Sequence, residues 1–139
     1  MMMANARSTS HGPPAPPRLR IVVIDDEPDS VITLLALLRS EGYDAEGFAT
    51  AKDALKRLKE LNPDVVVCDI AMPLLNGWEV AREVRNAMGP LRPKLIALSG
   101  RYVQDADNVL AELTGFNHYL TKPCEPKALL ALLSQVEPF

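Results

Sequence analysis

Residues 19–48, LRIVVIDDEPDSVITLLALLRSEGYDAEGF, hold one complete copy of the pattern that decides the fold. Ile21-Val22-Val23-Ile24 is a continuous apolar run, as expected of a strand covered on both faces. The spacing of Val31, Leu34, Leu35 and Leu38 then predicts a helix over about 29–40 with one inward stripe, closed by Gly42. Tyr43 to Phe48 alternates and reads as a second strand. The unit recurs along the chain. Thr50 caps a second predicted helix with the stripe Ala51, Ala54, Leu55, Leu58 and Leu61, and Asp53 stands at the capping-box position. The breaker Asn62-Pro63 precedes the third run, Val65-Val66-Val67-Cys68. Val80, Ala81, Val84 and Met88 share one face of the helix after it. Leu95-Ile96-Ala97-Leu98 is the fourth run, followed by a fourth predicted helix carrying Ala106, Val109, Leu110 and Leu113. The fifth run, Asn117 to Leu120, is short, and a fifth helix is expected from Pro126 to about Val136.

Strands alternating with helices imply an α/β fold built on a doubly wound parallel sheet. Runs one, three and four are apolar throughout and suit the centre of the sheet. Runs two and five carry Asp44 and Glu46, Asn117 and His118, and suit its edges. Five strands of this kind, with five helices, fit the flavodoxin-like order 2-1-3-4-5. Its switch point lies between strands one and three, and ligands sit beyond the strand C-termini there.

The chain has 139 residues, 47% apolar and 24% charged, which suits one globular domain. Residues 1–18 are small, polar and Pro-rich, and read as a disordered tail with residues 19–139 as the domain. The tail is open to two readings, a solvated leader or a PxxP docking segment. No apolar stretch approaches the length of a membrane span, and the N-terminus lacks the apolar core of a secretory signal. Cys68 and Cys124 are the only cysteines, which favours a reducing cytoplasm over a disulfide framework. Residues 1–20 carry Arg7, Arg18 and Arg20 and no acid, a charge of +3; the whole chain is −3, so the remainder is −6. An acidic body with no basic stripe argues against direct nucleic-acid binding.

Strand one ends in Asp25-Asp26-Glu27 and strand three in Asp69, so carboxylates converge at the switch point. Bare, they repel one another, and a hard divalent cation with oxygen ligands compensates. Strand four ends in Ser99, a hydroxyl donor, and strand five is followed by Lys122-Pro123. Cation, hydroxyl and ammonium together suit a phosphoryl group, with Asp69 as the nucleophile that would form an aspartyl-phosphate.

IVVIDDEP, VVVCDIAMPLLNGWEV, LIALSG and YLTKP stand in the order and spacing of the receiver domain of two-component response regulators, which the chain resembles from about Leu19 to Val136. The resemblance implies that Asp69 accepts a phosphoryl group from a histidine kinase or phosphotransfer protein. It implies Mg2+ as cofactor, ligated directly by Asp26 and Asp69, by Asp25 largely through water, and by the backbone carbonyl of Ala71. Ser99 and Lys122 match the residues that hold the phosphoryl oxygens, and Tyr119 the aromatic switch that turns inward with Ser99. Ala71 and Arg101 match positions that tune phosphoryl lifetime, Ala71 leaving water access open and Arg101 able to screen it. Pro73 and Gly77 match the turn after strand three. The output face implied is the fourth helix, fifth strand and fifth helix, open to a downstream protein or to a second copy of the chain. No enzymatic activity beyond its own phosphorylation and dephosphorylation is implied.

Three residues depart from the family pattern: Asn76 before Gly77, Gly100 after Ser99, and Cys124 after Lys122-Pro123. A haloacid-dehalogenase-type phosphatase would need an acid two residues after Asp69, where Ala71 stands. A flavodoxin-type electron carrier would need a hydroxyl- and Gly-rich loop after strand one, where the acidic run stands. The receiver of a hybrid sensor histidine kinase stays open as an alternative, although no Gly-rich ATP loop is present, and His11 and His118 read as solvent or sheet-edge residues. Trp78 is expected in the core, and Cys68 buried and inert. Leu129, Leu130, Leu132 and Leu133 are too many to face the sheet together, so part of the last helix is expected to meet a partner.

Overall fold

The computed structural model describes residues 18–70, 77–99 and 115–138, with the side chains of 77–78 left aside. The elements are β1 (Arg20–Ile24), α1 (Pro28–Ser40), β2 (Asp44–Phe48), α2 (Ala51–Leu61), β3 (Val65–Asp69), α3 (Gly77–Met88), β4 (Lys94–Ser99), β5 (His118–Thr121) and α4 (Pro126–Leu133). The fourth predicted helix lies outside the described residues, so α4 is the fifth helix of the sequence reading. The sheet is parallel throughout with the order β2-β1-β3-β4-β5, as the sequence predicts.

Alternate residues of the central strands feed two cores. Val22, Ile24, Val66, Cys68, Leu95 and Ala97 face α2 and α3, meeting Ala54, Leu58, Val80 and Val84. Ile21, Val23, Val65, Val67, Ile96 and Leu98 face the other way, meeting Leu34 and Leu38 of α1 and Leu129 and Leu133 of α4. Each fully buried aliphatic side chain contributes about 1.5–3 kcal/mol relative to exposure. These two layers fix the strand ends in register.

Local chemistry sets the boundaries. Pro28 opens α1, where a missing N–H costs nothing. Gly42, at φ 89°, ends it: Tyr43 N–H donates to Leu38 O (3.0 Å) and Gly42 N–H to Arg39 O (3.1 Å). That pairing is a Schellman close, and it needs the left-handed residue that glycine supplies. The Thr50 hydroxyl accepts from Asp53 N–H (3.2 Å), as the capping pattern predicts. Arg85, on α3, donates to the carbonyls of Pro93 (2.8 Å) and Gly115 (2.8 Å) and to Asn117 Oδ1 (3.0 Å), tying α3 to the starts of β4 and β5.

The last helix differs from expectation. It ends at Leu133 rather than near Val136, in a tight turn closed by Gln135 N–H on Leu132 O and Val136 N–H on Leu133 O. Leu130 and Leu132 are half-buried against the same core as Leu129 and Leu133, so the apolar surplus is smaller than the sequence suggests. Among the described residues, no helix is long and apolar enough to cross a membrane.

Candidate functional site

The site is assembled by register. Ile24 lies beside Cys68 across the β1–β3 pair, so the residues that follow, Asp25 and Asp69, share one level at the C-terminal rim. The ladder continues past the strand ends: Asp25 N–H donates to Phe48 O (3.1 Å) and Ile70 N–H to Leu98 O (3.0 Å). Ser99 pairs in register with Thr121, and its carbonyl accepts from Lys122 N–H (2.6 Å). Those bonds carry Lys122 to the rim of β4 and aim its side chain towards β1 and β3. The Lys122–Pro123 peptide bond is cis.

Lys122 Nζ donates to Asp25 Oδ2 (3.0 Å), Asp69 Oδ2 (3.3 Å) and Glu27 Oε1 (3.4 Å). Asp25 is fully buried, Asp69 nearly so, and Glu27 faces solvent. Desolvation works against the Lys122 charge, but the bond to Asp25 and the charges of Asp69 and Asp25 outweigh it and hold the ammonium above the usual lysine range. Asp25 Oδ1 accepts from Glu27 N–H (3.0 Å). A cleft of about 260 Å³ opens beside this cluster, between the start of α1 (Asp29, Ser30, Thr33) and the Lys122-Pro123-Cys124 turn.

Carboxylate oxygens of Asp25, Asp26 and Asp69 all lie within 4.8 Å of one another. An all-oxygen, anionic donor set suits a hard divalent cation such as Mg2+. Cys68 adds no soft ligand. Its Sγ–H donates to the Asp69 carbonyl (3.3 Å), and burial, reinforced by the charges of Asp69 and Asp25, pushes the thiol well above its ordinary pKa.

The sequence-predicted residues Asp25, Asp26, Asp69 and Lys122 therefore meet. Ser99 stands half-buried at the end of β4, one strand away, and Tyr119 on β5 packs partly buried against the core on the α2–α3 side. Ala71, Pro73, Asn76, Gly100 and Arg101 lie outside the described residues, as does the side chain of Trp78. Glu27 is the residue that sequence reasoning quoted without giving it a role. No sequence signal marks it, because its contact with Lys122 joins residues 95 apart; in the structure it is the α1 N-cap and its side chain makes no capping bond.

Residues 21–134 match the profile of the response regulator receiver domain. The chain is 36% identical over 118 residues to an uncharacterized 14.6 kDa protein in the sodA1 3′ region of Leptolyngbya boryana, covering 85% of this chain and 89% of that one. It is 35% identical to the DNA-binding response regulator MtrA of Mycolicibacterium smegmatis, covering 82% of this chain but 48% of MtrA, so it spans about half the length of that relative. CheY4 of Vibrio cholerae shares the fold, with a TM-score of 0.80 at 23% identity over 86% of this chain and 99% of that one. The receiver domain of sensor histidine kinase PA1611 from Pseudomonas aeruginosa, solved with magnesium in its active-site cleft, has a TM-score of 0.75 at 28% identity, covering 86% and 98%. The flavodoxin and phosphatase readings fall away with these matches. On its sequence, its strand order and the carboxylate–lysine cluster at its switch point, the chain belongs to the response regulator receiver domain family.

Proposed function

We propose that the chain is a phospho-accepting switch in a two-component phosphorelay, with Asp69 as the acceptor. The observation that carries this reading is the convergence of Asp69 with Asp25, Asp26 and Lys122 at the sheet rim. Asp69 attacks the phosphorus of a phosphohistidine on a histidine kinase or phosphotransfer protein. An Asp69 Oδ–P bond forms, the P–N bond breaks, and its electron pair stays on the imidazole nitrogen. Asp26 and Asp69 would hold Mg2+ directly, with the carbonyl of Ala71, and Asp25 through water. The cation, once bound, supplies charge neutralisation for the phosphoryl oxygens.

Lys122 lies within reach of Asp69 and neutralises a further share of that charge. The Ser99 hydroxyl donates to a phosphoryl oxygen, and Tyr119 follows Ser99 inward. Ala71 and Arg101 set how readily water reaches the acyl phosphate. A shift of the two conformations from 1:99 to 99:1 requires about 5.5 kcal/mol of differential contact. Charge-assisted bonds from Lys122 and Ser99 are of the right strength to supply it.

We assign the receiver domain to residues 19–139, behind a Pro-rich tail over 1–18 that lies, residue 18 apart, outside the described residues, and place the protein in the cytoplasm. Output passes through protein contacts on the face of the fourth predicted helix, β5 and α4, to a downstream protein or a second copy, with no direct contact to nucleic acid and no catalysis of other substrates. A second reading, the receiver of a hybrid sensor histidine kinase, is favoured by the likeness to the PA1611 receiver.

Incubation with acetyl phosphate, with and without Mg2+, followed by intact-mass measurement tests the site. The wild type gains one phosphoryl group only with the metal, and Asp69→Ala gains none. Phosphorylation that survives Asp69→Ala rejects the assignment.

A further inference from the structure

Lys122 and a divalent cation want the same oxygens. Two of the three carboxylates in the cation cluster, Asp25 and Asp69, already accept from Lys122 Nζ. Both oxygens of Asp25 are taken, Oδ1 by the Glu27 N–H and Oδ2 by Lys122. A cation held there draws on the same carboxylates, and the repulsion between an ammonium and a dication on one buried carboxylate favours release of Lys122 from at least one of them. The ammonium then needs another acceptor, since it is four-fifths shielded from water.

Glu27 is that acceptor. It lies outside the cation cluster, yet its Oε1 is already 3.4 Å from Lys122 Nζ. Its carboxylate is kept in place by the Ser30 hydroxyl, which donates to the same Oε1 at 3.1 Å. Its backbone is tied to Asp25 through the Glu27 N–H. As an N-cap it makes no side-chain capping bond, so its carboxylate is spent on Lys122. We infer that Glu27 is a positioning residue that takes the Lys122 ammonium when a divalent cation occupies Asp25, Asp26 and Asp69, and so sets the affinity for that cation. The inference deepens the proposed function and rests on it.

Without Glu27, the acceptors left to Lys122 Nζ among the described residues are Asp25 and Asp69, and it competes harder with the cation. Reach matters as much as charge. Glu27→Asp keeps the negative charge but withdraws it by one methylene, away from Lys122. An exposed ion pair of this kind is worth a roughly two- to fivefold change in a binding constant.

The test is calorimetric titration of the full chain with Mg2+, for wild type, Glu27→Gln and Glu27→Asp, with circular dichroism to establish that all three are folded. The expected result is a Kd raised two- to fivefold in both variants. A Kd raised in Glu27→Gln but unchanged in Glu27→Asp means that Glu27 acts through charge alone, and overturns the proposal. An unchanged Kd in both variants also overturns it. Failure of the wild type to bind Mg2+ at all is a separate outcome, and removes the cation site of the proposed function together with this inference.

Discussion

Lys122 holds two buried carboxylates and one exposed one with a single ammonium. A charge buried and paired in this way is costly to strip of its partner. Lys122→Met is expected to lower the unfolding free energy at pH 7 by about 2 kcal/mol. Saturating Mg2+ should recover part of that loss, because a cation compensates the same carboxylates. Urea unfolding with and without the metal measures both effects, and a variant as stable as wild type without Mg2+ would show that the ion pairs are not stabilising. At this scale the sequence was informative about the acids and the lysine, because strand-end positions at a switch point are defined by the strand pattern alone. It was silent on Glu27, since the bond to Lys122 joins residues 95 apart, and no local spacing encodes it.

At the scale of elements, β2 meets α1 through a missing side chain. A Cβ on Gly47 would meet Val31 Cγ1 in hard contact and Leu35 Cδ1 at 3.0 Å. Gly47→Ala is therefore expected to destabilise the fold by about 1–3 kcal/mol through overpacking, read from denaturant midpoints. The alternation over Tyr43 to Phe48 predicted the strand without this requirement, because it depends on how closely α1 crosses it. On the other edge, His118 of β5 is held below the usual histidine range, first by burial and then by the charge of Lys94. The sign follows from that depression. The unfolded chain binds the proton more readily, so the stability His118 contributes is fully present above about pH 6.5. It is lost as pH falls from there through the lowered folded value. The difference between wild type and His118→Gln, measured by urea unfolding at pH 7 and pH 5, isolates this slope; an identical pH dependence in both proteins contradicts it. The Arg85 clamp was equally invisible in sequence. Arg85 reads as a solvent-side residue beside the Val80, Ala81 and Val84 stripe, and its acceptors on Pro93, Gly115 and Asn117 come together only when β4 and β5 pair.

For the molecule as a whole, the strand order was legible because continuous apolar runs and mixed runs separate central from edge strands. The last helix has less apolar surplus than its periodicity suggests, because Leu130 and Leu132 pack half-buried against the same core as Leu129 and Leu133. Part of the charge of the −6 body is concentrated in the Asp25, Asp26 and Asp69 cluster, as the strand-end acids predict. Cation binding and folding should therefore be linked. Free Mg2+ at a hundred times its Kd is expected to raise the unfolding free energy by about 2.7 kcal/mol, an increase reversed by a chelator and absent in Asp26→Asn/Asp69→Asn. A thermal midpoint indifferent to Mg2+ would contradict the linkage. The central claim, that Asp69 carries the phosphoryl group, is tested most directly by phosphorylating the wild type with acetyl phosphate and Mg2+, reducing the acyl phosphate with borohydride, and sequencing the peptides by mass spectrometry. The account predicts homoserine at position 69 and nowhere else; homoserine at position 25 or 26, with residue 69 still aspartate, contradicts it.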